Sequence, residues 1–272
     1  MNFLRGSLYI GAIRETKIFV HWTFFLLIAW VFISAYREHG DLGQGIISVL
    51  FVLVFFACIT LHEFGHITVA RRYGCYSKKI TLLPIGGVAS MDKIPEKPLQ
   101  EMLMALAGPW VNFVIAAFIW LFLWISKGLP SSAVITTLTR DNFLYVLMTA
   151  NLVVAFFNLI PAFPMDGGRV LRAILAMRFP RERATKIAAN VAQVIAVVFV
   201  ITGLFVNVWL TFIGVFVFLG ATSEATAEMT KSLLSHYHVR NVLMHRFTCL
   251  SPEEDLESAA RKCSMAASKA LS

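Results

Sequence analysis

The sequence predicts an all-α polytopic membrane protein with about six transmembrane helices, the fourth of them broken. Three observations carry this expectation. Hydrophobic residues make up 58% of the 272-residue chain and charged residues only 15%, against roughly 45–50% and about 25% in an ordinary soluble domain. The excess is gathered into six long runs, most of them reaching the about 20 helical residues that ~30 Å of hydrocarbon requires. Finally, the 24 lysines and arginines fall almost wholly on alternate flanks of those runs.

Taken in order, the first run covers about Ile18–Tyr36 behind Arg5 and Arg14. It is full-length, so it reads as a span and not as the short apolar region of a cleavable signal peptide. The second, about Ile46–Ala70, ends at the Arg71-Arg72 pair, and the third covers about Met102–Ile125. The fourth, about Phe143–Leu175, is interrupted by Pro161, Pro164 and Gly167-Gly168; each proline removes a backbone donor, and the glycine pair loosens the helix beyond it. Ile187–Leu204 and Val208–Ala225 complete the set. Through six spans, Arg37, Lys127 and Arg140 lie on one side and every other lysine and arginine on the opposite side. That bias predicts a multi-pass protein of the cell membrane with both termini cytoplasmic. The net charge of +8 is then a topology signal, its partner the lipid bilayer, with no nucleic acid implied. Residues 1–228 are expected to form the membrane-embedded domain and 229–272 a cytoplasmic helical extension.

Charged and polar groups inside such runs are costly and mark function. His62-Glu63-Phe64-Gly65-His66 in the second run reads H-E-x-x-H. On a helix, residues four apart lie about 40° and ~6 Å apart, so both imidazoles reach one ion, with Glu63 on the flank of the same face. Of the 16 acidic residues, only Glu63 and Asp166 fall at membrane depth. Asp166 sits in "NLIPAFPMDGGR", where irregular backbone is tolerated only if it is buried in protein or lines a wet cavity. A third ligand, or a carboxylate at a simple proline kink, are the two readings of Asp166. Two histidines and one aspartate with an open fourth position form a catalytic zinc arrangement, one ion per chain. Zinc makes water nucleophilic near neutral pH, and Glu63 can take its proton during attack on a carbonyl. Counting back from Arg71 sets His62 roughly 13 Å below the cytoplasmic edge. The four cysteines form no C-x-x-C pair, and Cys58, one turn before His62, reads as a small apolar filler. His21, beside Trp22, reads as interfacial.

With "HEFGH" in the second span, Asn158, Pro164, Asp166 and Gly167 in the fourth, and "AGPWVN" (Ala107–Asn112) opening the third, the chain resembles the site-2 protease family of intramembrane zinc metalloproteases in its compact six-span form. The resemblance implies zinc on His62, His66 and Asp166, Glu63 as base, water reaching the metal from the cytoplasm, and Asn158 helping to hold substrate. It also implies that "ITLLPIGGVASM" (Ile80–Met91), β-prone and split by Pro84 and Gly86-Gly87, forms a re-entrant β element between helices 2 and 3. Its edge, at Gly86 and Gly87, could bind an unwound substrate by strand addition. The expected substrate is a single-span membrane protein, such as an anti-sigma factor or a membrane-tethered regulator.

In the tail, Glu224 and Glu228 read as a solvated helix face, with a metal site as the alternative. "VRNVLMHRFTCLSPEEDLESAARK" (Val239–Lys262) resembles the opening of a CBS-type module, but only 34 residues remain from Val239 where about 60 are needed, so nucleotide binding is not assigned to it. Two other functions compete with the protease. A divalent-metal transporter would need acidic or histidine groups through the whole membrane depth, and here they gather on one side. A non-catalytic scaffold would fit a chain lacking Glu63.

Overall fold

The computed structural model describes residues 6–13, 16–84, 86–91, 95, 97–126, 138–235, 255–258 and 260–261. The elements run β1 (Ser7–Ile13), β2 (Thr16–His21), α1 (Thr23–His39), α2 (Leu42–Arg72), β3 (Ser77–Leu83), β4 (Gly86–Met91), α3 (Pro98–Ser126), α4 (Phe143–Asn158), α5 (Asp166–Ala176), α6 (Arg181–Val206) and α7 (Val208–Ser235). The chain divides into two compact units, 1–228 and 229–272. Most of the CBS-like segment lies outside the described residues; of it, Glu257 and Arg261 form an i,i+4 pair at 2.8 Å.

Among the described residues, four helices are long and apolar enough to cross a membrane: α2, α3, α6 and Val208–Thr230 of α7. Large apolar side chains such as Phe118, Phe122, Trp124, Phe205 and Trp209 stand exposed on them, as a lipid-facing surface requires. The other two expected spans are shorter. α1 has 17 residues, because the start of the first run is taken by β2. There Val20 packs with Phe24, Phe56, Ile67, Ile80 and Leu82, so the hydrophobicity of residues 18–20 serves a sheet core. α4 has 16 residues and stops where the proline-containing segment begins, so the fourth run is two helices, α4 and α5.

The sheet was only half expected. Its order is β1-β2-β3-β4, with β1–β2 and β3–β4 antiparallel and β2–β3 parallel, Ile18 opposite Ile80. A parallel pair needs a long crossover, and the α1–α2 hairpin supplies it. Gly40, left-handed at φ 66°, closes α1. Asp41 then caps α2 by accepting from the Gly43 and Gln44 amides at 3.0 and 3.2 Å. At the far end Arg71 donates to Thr16 Oγ1 at 3.0 Å, and Thr16 donates to the Ser77 carbonyl at 3.0 Å, tying α2 to both inner strands. On the other flank, Ala188, Ala189, Ala192 and Ala196 of α6 pack with Val217 and Ala221 of α7 and with Ala162, Phe163 and Met165 of the segment before α5. That core seats the residues leading into Asp166.

Candidate metal centre

α2 carries His62 and His66 one turn apart, both buried at 5% and 6% exposure. The non-helical stretch after α4 brings Asp166, first residue of α5, to meet them. Asp166 Oδ2 lies 3.2 Å from His62 Nε2 and 3.1 Å from His66 Nε2, and the two Nε2 atoms are 3.1 Å apart. His66 Nδ1 lies 2.8 Å from the Met104 carbonyl. That contact requires Nδ1–H, which leaves the Nε2 lone pair pointing at the triad.

Close backbone approach is what lets this cluster form. A Cβ on Gly108 of α3 would overlap the Nε2 atoms of both histidines, so only glycine leaves room there. A Cβ on Gly65 would stand 2.7 Å from the Ala107 carbonyl oxygen, which explains the glycine inside H-E-F-G-H as an α2–α3 contact. Gly167 and Gly168 lie so tightly on the backbone of Leu159–Phe163 that a side chain at either would push Asp166 out of place.

The remaining expected site residues are distributed around this centre. Glu63 is half-buried on the β4 side of α2, where a Cβ on Gly87 would stand 2.9 Å from its Cγ. Gly86, with φ 135°, adopts a conformation that only glycine takes without strain. Asn158 is the last residue of α4 and half-buried; its neighbour Leu159 lies directly under Gly167. Neither Asn158 nor Gly86 belongs to the donor triad. Cys58 is buried at 6% exposure. His21, read as interfacial and not as a ligand, is buried at 9%, pairs with Thr23 Oγ1 at 2.7 Å and lies outside the donor triad. Glu224 and Glu228, read as a solvated helix face, are only partly exposed and are held in ion pairs. They pair with Arg172 at 2.8 Å and Arg181 at 3.1 Å.

The donor set suits a divalent ion. The ligand atoms of His62, His66 and Asp166 all lie within 4.8 Å of one another, and the shortest separations are 3.1–3.2 Å. Ligands at 2.0–2.1 Å around a tetrahedral zinc stand about 3.3 Å apart. Two imidazole nitrogens and one carboxylate oxygen make three donors where a closed structural zinc has four, which suits zinc in its catalytic form.

The fold and site therefore define a helical membrane protein built around a metal centre of two buried histidines and one half-buried carboxylate. The model of peptidase family M50 matches residues 50–140 and 131–202. A zinc metalloprotease of Methanocaldococcus jannaschii is 37% identical over 211 residues, covering 77% of this chain and 59% of that protein. The zinc metalloprotease Rip3 of Mycobacterium tuberculosis is 31% identical over 258 residues, covering 88% and 64%. The solved structure of the site-2 protease from Methanocaldococcus jannaschii superposes with a TM-score of 0.57 at 34% identity, covering 90% of this chain and all of that one. The chain belongs to peptidase family M50, the site-2 proteases, and it spans less than two thirds of the length of the two relatives named first.

Proposed function

We propose that the protein is an intramembrane zinc metalloendopeptidase that hydrolyses peptide bonds within or beside the transmembrane segment of single-span membrane proteins. The convergence of His62, His66 and Asp166 beside Glu63 is the observation that carries this reading, and family membership supports it. His62, His66 and Asp166 would hold the ion, which when bound supplies Lewis acidity that makes water nucleophilic at neutral pH. Glu63, one residue from His62 and outside the donor set, is the general base; it takes a proton from the attacking water and returns it to the leaving amine. Burial of both histidines keeps the donors free of bulk water, and the His66–Met104 contact fixes the imidazole that faces the carboxylate. A transporter reading is not favoured, because the described donors form one site and no ladder of sites.

The topology proposed is six passes with both termini in the cytoplasm and β3–β4 entering the membrane side of the site. The parallel β2–β3 pairing supports it: strands that pair lie on one side, so α1 and α2 must go out and back. Residues 1–228 act as the protease and 229–272 as its cytoplasmic extension. β4 ends the sheet order, so its outer edge can accept an extended substrate strand. Gly87, packed on Glu63, would place that strand beside the base, with Gly86 allowing the turn into β4 and Asn158 offering one further hydrogen-bonding partner.

A transmembrane helix hides its peptide bonds, so several residues must unwind before attack. Glu63→Gln protein is therefore expected to trap, uncut, a single-span substrate that the wild type cleaves. Substrates with Gly, Pro or Asn in the cytoplasmic third of the span should be cut faster than a Leu-rich version. Equal rates for the two would remove the strand-edge role, and cleavage by Glu63→Gln would remove the catalytic assignment. Labelling of intact cells should reach a cysteine placed near Gly40 and miss one after Lys231; the reverse pattern would overturn the topology.

A further inference from the structure

α3 and α5 meet at two levels. At one, Gly108 of α3 lies against the imidazoles that Asp166 reaches. At the other, seven residues earlier on α3 and six later on α5, Glu101 meets Arg172. These offsets are about 10 Å and about 9 Å of helix, so the two helices run antiparallel with matched spacing between the levels. Arg172 and Glu101 are each 1% exposed, among the most enclosed side chains in the protein. Arg172 Nε donates to Glu101 Oε1 at 2.8 Å, its Nη2 contacts the same oxygen, and Nη1 donates to Glu224 Oε1 of α7 at 2.8 Å. The guanidinium also stands 5.5 Å from the ring centre of Phe163, in the segment that leads into Asp166. Arg181 backs the network, 3.5 Å from Glu101 Oε2.

α5 has 11 residues, too few to hold itself as a helix without tertiary contacts. A slip of one residue along its axis would move Asp166 by about 1.5 Å and turn it by about 100°, enough to take its oxygen off both imidazoles. Beside the tight seating of Gly167 and Gly168, the planar guanidinium fork, gripped from α3 and α7 and lying over Phe163, opposes such a slip at the far end of α5. Lysine, a point charge on a flexible stem, cannot reproduce it.

We propose that Arg172 is a positioning residue for Asp166: by fixing the register of α5 on α3 through Glu101, it sets the carboxylate against His62 and His66, and so sets the affinity and shape of the metal site. The proposal rests on the reading of that triad as the metal site, and its test separates the two. Wild type, Arg172→Lys, Arg172→Met, Glu101→Gln and Asp166→Ala would be purified in detergent. Zinc affinity would be read by chelator competition, and site geometry from the visible absorption of the cobalt-loaded protein. Loss of a group that hydrogen-bonds a metal ligand weakens metal binding by about 10–100-fold, and Arg172, which reaches Asp166 only through the register of α5, should act toward the lower end of that range. That loss is expected for Arg172→Met and Glu101→Gln, with Arg172→Lys between them and wild type. The cobalt bands of the folded, loaded fraction should change as well. A residue that only stabilises the fold would lower the melting temperature and leave both the affinity and the bands of the folded fraction untouched; that result overturns the proposal. Should Arg172→Met fail to fold, Arg172→Lys and Glu101→Gln decide by the same readouts. If Asp166→Ala loses zinc while the Arg172 and Glu101 variants keep wild-type binding, only the positioning role fails. If Asp166→Ala keeps zinc, the metal-site reading itself fails.

Discussion

α5 carries two charged residues, Arg172 buried and Asp166 half-buried, that meet opposite fates. Arg172 enters a network in which every charge finds its opposite inside the protein: Glu101, Glu224 and, through Glu101, Arg181. Asp166 enters a cluster whose other members are two imidazoles, all three turning ligand atoms toward one point. The first cluster is balanced by ion pairs among its own side chains. The second offers three ligand atoms that a divalent cation would complete. Buried charges are tolerated when paired or when they ligate a metal, and this short helix shows both solutions about two turns apart.

The largest effects should come from breaking the open cluster. Asp166→Ala is expected to abolish proteolysis. Glu63→Gln should lower turnover by about 10²–10⁴-fold, the usual contribution of a general base. A cleavage assay with a reconstituted single-span substrate checks both, and near-wild-type turnover in either would contradict the roles assigned.

Breaking the ion-paired cluster should act first on stability. Arg172→Met leaves Glu101 buried without its main partner, and removing one member of such a pair costs about 3–5 kcal/mol. Replacing both, as Arg172→Met with Glu101→Leu, should recover much of that loss, because the stranded charge is gone. Unfolding in mixed micelles measures this, and a double variant no better than the single would show that the pair is not a closed unit.

Legibility in the sequence divides along the same line. His62, Glu63, His66 and Asp166 stand out because each is polar within an apolar run, where the background is silent. Glu101 and Arg172 do not, because they lie 71 residues apart and at span ends, where charges are ordinary; only the fold shows that both are enclosed. The need for glycine at 108 is hidden similarly, since "AGPWVN" reads as a helix start and the imidazoles it accommodates come from α2. β1 and β2 escape notice for a different reason: the alternation of Thr16, Ile18 and Val20 is too short to separate from the hydropathy of the span it precedes. The breaks at Pro161 and Pro164 are visible, because proline removes a donor whatever the surroundings.

Smaller effects should sharpen the boundary between the site and its support. Gly87→Ala introduces a Cβ within 2.9 Å of Glu63 Cγ; it should slow cleavage several-fold while zinc content stays at wild type, as parallel rate and metal assays would show. Lost zinc in that variant would mean that β4 holds the metal cluster and not the base. Smallest of all should be Glu224→Gln. Its side chain is 30% exposed, so water can replace the lost charge, and a change of about 1 kcal/mol or less is expected in the same unfolding assay.

The proposed mechanism rests on one division: Asp166 as a zinc ligand and Glu63 as a base outside the ligand set. Metal analysis of three purified, folded proteins tests it most directly. The wild type and Glu63→Gln should each carry about one zinc per chain, and Asp166→Ala should carry almost none. Zinc retained by Asp166→Ala, or absent from Glu63→Gln, would contradict it.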